Sequence, residues 1–226
     1  MRAATFLILL SGILPAAGPQ VVSQGSPRFK DVALTFDAGA DRGYAPAIIR
    51  ILEKNRIRAS FGMTGTWALA NADLVRRIAH DHDQLINHTY DHRSFTGFST
   101  RMAPLTLAQR SWEIIQADRV IGRLTHHSTR PFFRPPYGDY DSAALSLLGR
   151  LGYRYMVMWT LDSLGWEHLS ESAILQRCLV QITPGTILLM HVGSQSQDAL
   201  ALQPLIQQLR RHGYKFVTVA QMVGSH

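Results

Sequence analysis

The chain has 226 residues, enough for one domain with a sizeable apolar core. Hydrophobic residues make up 46% and charged residues 17%, a balance that excludes a disordered chain. The formal net charge of +7 either suits an anionic setting, such as a bacterial wall, a membrane surface or nucleic acid, or serves solubility alone. No dense Lys/Arg run and no interleaved aromatics mark a nucleic-acid surface, so no nucleic-acid partner is expected.

Arg2 precedes an apolar stretch over residues 3–14, and the small residues Ala16, Ala17 and Gly18 follow. This reads as a signal peptide over residues 1–18. The stretch falls short of the roughly 20 apolar residues of a membrane span, so no stable membrane insertion is expected after cleavage. The mature protein is therefore expected outside the cytoplasm, secreted or associated with the cell wall. Residues 19–29 are rich in Pro, Ser, Gly and Gln and read as a linker, which leaves residues 30–226 as the domain. Short apolar runs predict strands over 32–36, 59–62, 84–87, 132–134, 155–159, 186–190 and 215–219. Amphipathic stretches predict helices over 45–55, 73–81, 106–124, 142–151, 171–182 and 199–212. Alternation of strand and helix implies βαβ units and a parallel sheet, either closed as a barrel or open and doubly wound. The segment after the first strand, Asp37-Ala38-Gly39-Ala40, is no phosphate loop. The single cysteine, Cys178, forms no internal disulfide and lies in an apolar pattern typical of a core.

Polar residues track the strand ends. Asp37, His88, Arg134, Asp162 and His191 each close or follow an apolar run. In a parallel barrel those ends open on one face, where active sites are built. His88 and His92 are four residues apart, a spacing that aims both imidazoles at one point, and neutral imidazoles suit a borderline cation such as Zn²⁺. Asp91 between them either orients a ligand or faces water. His80, His82, His126 and His127 lack strand-end context and receive no chemistry.

With these residues placed, the sequence resembles the polysaccharide deacetylase family (the NodB homology domain, carbohydrate esterase family 4) from about Asp31 to Val223. The motifs are Thr35-Phe36-Asp37-Ala38-Gly39, His88-Thr89-Tyr90-Asp91-His92, Arg134-Pro135-Pro136-Tyr137-Gly138, Asp162-Ser163-Leu164-Gly165-Trp166 and Leu189-Met190-His191. The resemblance implies a single-domain α/β fold, a distorted barrel of seven strand–helix units. It implies that Asp37 is the general base, Arg134 its orienting partner and His191 the general acid. It implies that Asp162 tunes that histidine, and that His88 and His92 bind a divalent metal, Zn²⁺ by donor type. It further implies an oxyanion donor in the Tyr137 backbone N–H, and an acetyl pocket walled by Trp166 and Leu189.

Two positions depart from the family pattern. The usual second aspartate of the first motif, a metal ligand, is Ala38 here, and Ala40 stands where a proline is usual. Asp41, Asp37 or water then has to complete the coordination. The leading expectation is removal of N-acetyl groups from an extracellular polysaccharide, peptidoglycan or a chitin-like polymer. O-deacetylation of a xylan-type glycan uses the same machinery on an ester. A metal-deficient glycan-binding protein is the reading that Ala38 favours, and a soluble amidase on small cyclic amides is disfavoured by the signal segment.

Overall fold

In the computed structural model, which describes residues 18–224, the strands are β1 (Gln20–Val22), β2 (Asp31–Ala38), β3 (Ser60–Met63), β4 (Gln84–Asn87), β5 (Phe132–Phe133), β6 (Tyr155–Val157), β7 (Leu161–Asp162), β8 (Thr186–His191) and β9 (Lys215–Phe216). The signal-peptide reading of residues 1–18 lies, but for Gly18, outside the described residues. The strands pair in parallel in the order β1-β6-β5-β4-β3-β2-β8-β7, with β9 against the start of β2. β6 sits near one end of this order and β7 at the other, yet only Met158, Trp159 and Thr160 separate them in the chain. A flat sheet cannot satisfy that connection, so the sheet curls back on itself. Thr160 N–H donates to the Ile187 carbonyl at 3.0 Å, and Met158 N–H donates to the Val22 carbonyl at 2.8 Å. The result is the distorted (β/α) barrel expected from the resemblance.

Eight α-helices lie among the described residues: α1 (Ala45–Asn55), α2 (Gly65–Ala70), α3 (Ala72–His80), α4 (Leu107–Thr125), α5 (Ser142–Arg150), α6 (Glu171–Gln181), α7 (Asp198–Arg211) and α8 (Val219–Gly224). α1 turns Ile48, Ile49 and Leu52 inward and ends where Arg56 adopts a left-handed cap. α4 starts at a reciprocal capping box between Thr106 and Gln109. β2 is buried along nearly its whole length, as a strand covered on both faces must be, and its Phe36 ring stacks on Phe61 of β3 with centroids 5.4 Å apart.

The sequence reading differs from the structure at β1, β7, α2 and α8, none of which it expected as such, and the strands expected over 155–159 and 215–219 stop at Val157 and Phe216, with α8 beginning at Val219. β7 has two residues, too short for any periodic signal. β1 falls inside the segment taken as a linker. It pairs residue for residue with β6 and buries Val22, so residues 20–22 are part of the barrel rather than a spacer. Alternation over three residues carries no recognisable pattern; the unpaired edge of β6 selects this strand.

Candidate active site

β2 and β8 are paired so that Asp37 and His191 are direct partners across the sheet. Asp37 is buried, and so is Arg134 at the end of β5. Arg134 Nη1 donates to Asp37 Oδ1 at 2.8 Å, while its Nε and Nη2 donate to the Val157 and Met158 carbonyls at 3.2 and 3.3 Å. The guanidinium is thus locked on three sides, and its Cζ lies 5.8 Å from the centroid of the Trp159 ring. Burial drives the Asp37 carboxyl upward. The charge and hydrogen bond of the Arg134 guanidinium, helped by the nearby His88 and His191 rings, outweigh it, so the group sits below the usual carboxylate range and is ionised at neutral pH.

His88 and His92 converge as their spacing suggested. Their Nε2 atoms are 3.1 Å apart, and Asp37 Oδ2 lies 3.4 Å from His88 Nε2. His88 Nδ1 is 2.9 Å from the Arg134 carbonyl, which can only accept; Nδ1 therefore carries the proton and Nε2 presents a lone pair. Burial lowers the pKa of His88 despite the pull of Asp37. Burial first, and then His88, push His92 down to about 3. Both rings are neutral near pH 7, so the approach of Asp37 to His88 is a charge–dipole contact rather than an ion pair.

The loop from His88 to His92 is no helical turn: Thr89 and His92 both take positive φ, at 66° and 65°. Such backbone is costly for residues with a Cβ and has to be held from outside. Asn87 Oδ1 accepts the Thr89 N–H at 3.0 Å. Thr89 Oγ1 accepts the His92 N–H at 3.2 Å. Glu113 of α4 accepts the Tyr90 and Asp91 N–H groups at 2.9 and 3.0 Å on one oxygen. Asn87 is itself anchored by donating to the Ile114 carbonyl and to the Tyr153 hydroxyl. Sequence reading missed Asn87 and Glu113 as supports of this loop, since the contacts span up to 66 residues.

A cleft of about 470 Å³ opens above these groups, lined by Asp37, His88, His92, Tyr137, Trp166, Leu189 and His191 among others. Tyr137 has φ 59° and sets its ring edge-on to His92, with centroids 4.7 Å apart. Trp159, which the sequence placed at the tail of a strand, stands in the cleft wall. Asp162 does not bond His191. Its carboxylate accepts the Leu164 N–H at 2.9 Å and the Trp166 indole N–H at 3.1 Å, so it holds the Trp166 loop. Ala38 brings no donor, and Asp41 does not replace it: its carboxylate accepts from the Ser194 backbone at 2.8 Å and from the Ser194 hydroxyl. Among the described residues no cluster of three or more His, Cys, Asp or Glu side chains forms a ready metal site. The donors at hand are two facing imidazoles with one carboxylate oxygen beside them. That chemistry fits a divalent cation held mainly by His88 and His92.

Residues 24–156 match the family model described as polysaccharide deacetylase. The chain belongs to the polysaccharide deacetylase family. A peptidoglycan-N-acetylglucosamine deacetylase of Bacillus cereus is 30% identical over 195 residues, spanning 85% of this chain and 68% of that protein. Among solved structures, Bacillus subtilis PdaA, a family 4 carbohydrate esterase, superposes with a TM-score of 0.81 at 26% identity, covering 91% of this chain and 85% of that one. BA3943 of Bacillus anthracis, a family 4 pseudoenzyme, gives a TM-score of 0.80 at 27% identity, covering 90% of this chain and 69% of its own. As a polysaccharide deacetylase, the chain is assigned to hydrolysis of the amide C–N bond of N-acetyl groups.

Proposed function

We propose that this deacetylase acts outside the cytoplasm on cell-wall peptidoglycan, with Asp37 as base and His191 as acid. The observation that carries the reading is the pairing of Asp37 with His191 on adjacent strands beneath one cleft, the first ionised by Arg134. The peptidoglycan deacetylases among its relatives and the net charge of +7 support an anionic wall polymer as substrate.

In this reading a water oxygen attacks the acetyl carbonyl carbon and Asp37 takes the proton that the water releases. The carbonyl oxygen becomes an oxyanion, which the Tyr137 backbone N–H receives; removing such a donor costs roughly 3–4 kcal/mol. The C–N bond then breaks, and the departing nitrogen takes a proton from His191. Acetate and a free amino sugar leave. General acid–base help of this kind contributes about 10²–10⁴-fold. Trp166 and Leu189 wall the space for the acetyl methyl, and Asp162 steadies Trp166 through the indole N–H. His88 and His92 would hold a divalent metal, Zn²⁺ by donor type, which supplies polarisation of the carbonyl and acidification of water.

Acetate release from peptidoglycan, chitin oligosaccharides and acetylated xylan, measured alongside elemental analysis of the purified protein, tests this reading. Release from peptidoglycan, abolished in His191→Ala at unchanged metal content, is the expected result. Release from xylan alone would replace the amide reading by the ester one. The second reading, a glycan-binding protein without catalysis, is favoured by Ala38 and by the likeness to a pseudoenzyme. Glycan binding with no acetate released from any substrate would establish it.

A further inference from the structure

His191 Nδ1 and Asp198 Oδ1 are both buried without a hydrogen-bond partner. Orphaned polar atoms of opposite character inside a protein call for an explanation, because leaving each unpaired is costly. Asp198 opens α7 and is fully buried. Its Oδ2 accepts the His191 backbone N–H at 2.8 Å and the Ser196 hydroxyl at 2.7 Å. It is therefore fixed against the residue whose ring lacks a partner.

A second observation concerns Gly165. A Cβ there would lie 2.4 Å from Asp198 Oδ1, 2.6 Å from Cγ and 2.8 Å from Oδ2. Gly165 has no positive φ, so backbone conformation does not demand a glycine. The space does: the Asp198 carboxylate occupies the volume that any side chain at 165 would fill. Asp162, by contrast, is engaged with Leu164 and Trp166.

We propose that Asp198, and not Asp162, is the positioning carboxylate of His191. It orients the imidazole and stabilises its protonated form, so that His191 carries the proton the leaving amine requires. The role rests on the reading of His191 as general acid. Burial raises Asp198 against the pull of the Ser196 hydroxyl and of His191, as expected for a carboxylate whose Oδ1 lacks a donor until the ring presents one. The charged and titratable groups facing this pair are Cys178 on α6 toward Asp198, and Asp37, His88 and His92 toward His191.

The test is NMR titration of histidine-labelled full chain, with His191 assigned through His191→Gln. In Asp198→Asn the His191 midpoint is expected to fall by at least about one pH unit, a tenfold loss of proton affinity. In Asp162→Asn it is expected to stay in place. In parallel, Asp198→Asn should lower kcat roughly 10²-fold with little change in KM, the signature of an interaction made in the transition state. If Asp198→Asn fails to fold, Gly165→Asp combined with Asp198→Ser returns a carboxylate to the same volume, and recovery of the His191 midpoint supports the assignment. An unmoved midpoint in Asp198→Asn, or an equal fall in Asp162→Asn, overturns it. Because the titration needs no turnover, an inactive wild type with the expected midpoints would refute only the catalytic reading.

Discussion

Replacing Arg134 by methionine tests the pairing at the base of the cleft. Arg134 is fully buried and Asp37 nearly so, with 2.8 Å between Nη1 and Oδ1. Methionine fills similar volume but leaves the Asp37 carboxylate buried opposite an apolar chain. Breaking a buried pair on one side costs about 3–5 kcal/mol. At about 2–4 °C per kcal/mol for a domain of this size, Tm is expected to fall by about 6–20 °C. The sign of the pH dependence should also invert. With Arg134 present, the Asp37 pKa lies below its unfolded value, so its stabilisation is present above that unfolded value and lost as pH falls through the folded one. Without Arg134, burial dominates and the folded pKa is raised; stability should then decline as pH rises. Calorimetric unfolding of Arg134→Met, Asp37→Asn and the double variant closes the cycle. The double variant should lose less than the sum of the singles by about 2 kcal/mol or more. Additive losses, or a single-variant Tm within about 2 °C of wild type, would sink the claim that the two groups form one buried unit.

Gly62 of β3 faces Asp37, and a Cβ there would come within 2.5 Å of Asp37 Oδ1. Gly62→Ala should cut kcat at least roughly 10²-fold through displaced geometry, with unfolding changed by no more than about 1–3 kcal/mol; normal turnover would refute the close approach. Asp83, which accepts the Ala59 N–H at 2.7 Å, is pushed up to about 7, by burial above all. Its raised folded pKa means stability is present at about pH 4 and lost as pH rises toward 7, and denaturation of Asp83→Asn should lack that slope. Asp41→Ala should leave metal content unchanged, because its carboxylate is engaged by Ser194; a fall in occupancy by elemental analysis would reinstate it as a ligand. Ala38→Asp should raise zinc occupancy at limiting metal, read by the same analysis, since it restores the carboxylate that the family pattern has there.

Much of the site was legible because the barrel turns sequence order into spatial order. A residue that closes a parallel strand is delivered to the common rim, so Asp37, Arg134 and His191 could be read from position alone. The continuous apolar run of β2 and the apolar face of α1 were likewise written in the local sequence. What local pattern could not carry were groups whose role depends on a partner far away. Asn87 acts through Tyr153, Glu113 through the Tyr90–Asp91 backbone, and Asp198 through His191 and the gap at Gly165. Asp41 and Asp162 looked available in the chain, and only the fold showed their carboxylates taken by Ser194 and by Leu164 and Trp166. β1 became a strand because the edge of β6 was there to receive it. Strand-end chemistry is a property of the chain and its period; hydrogen-bond partners are set by closure of the sheet, which brings together residues that sequence distance keeps apart.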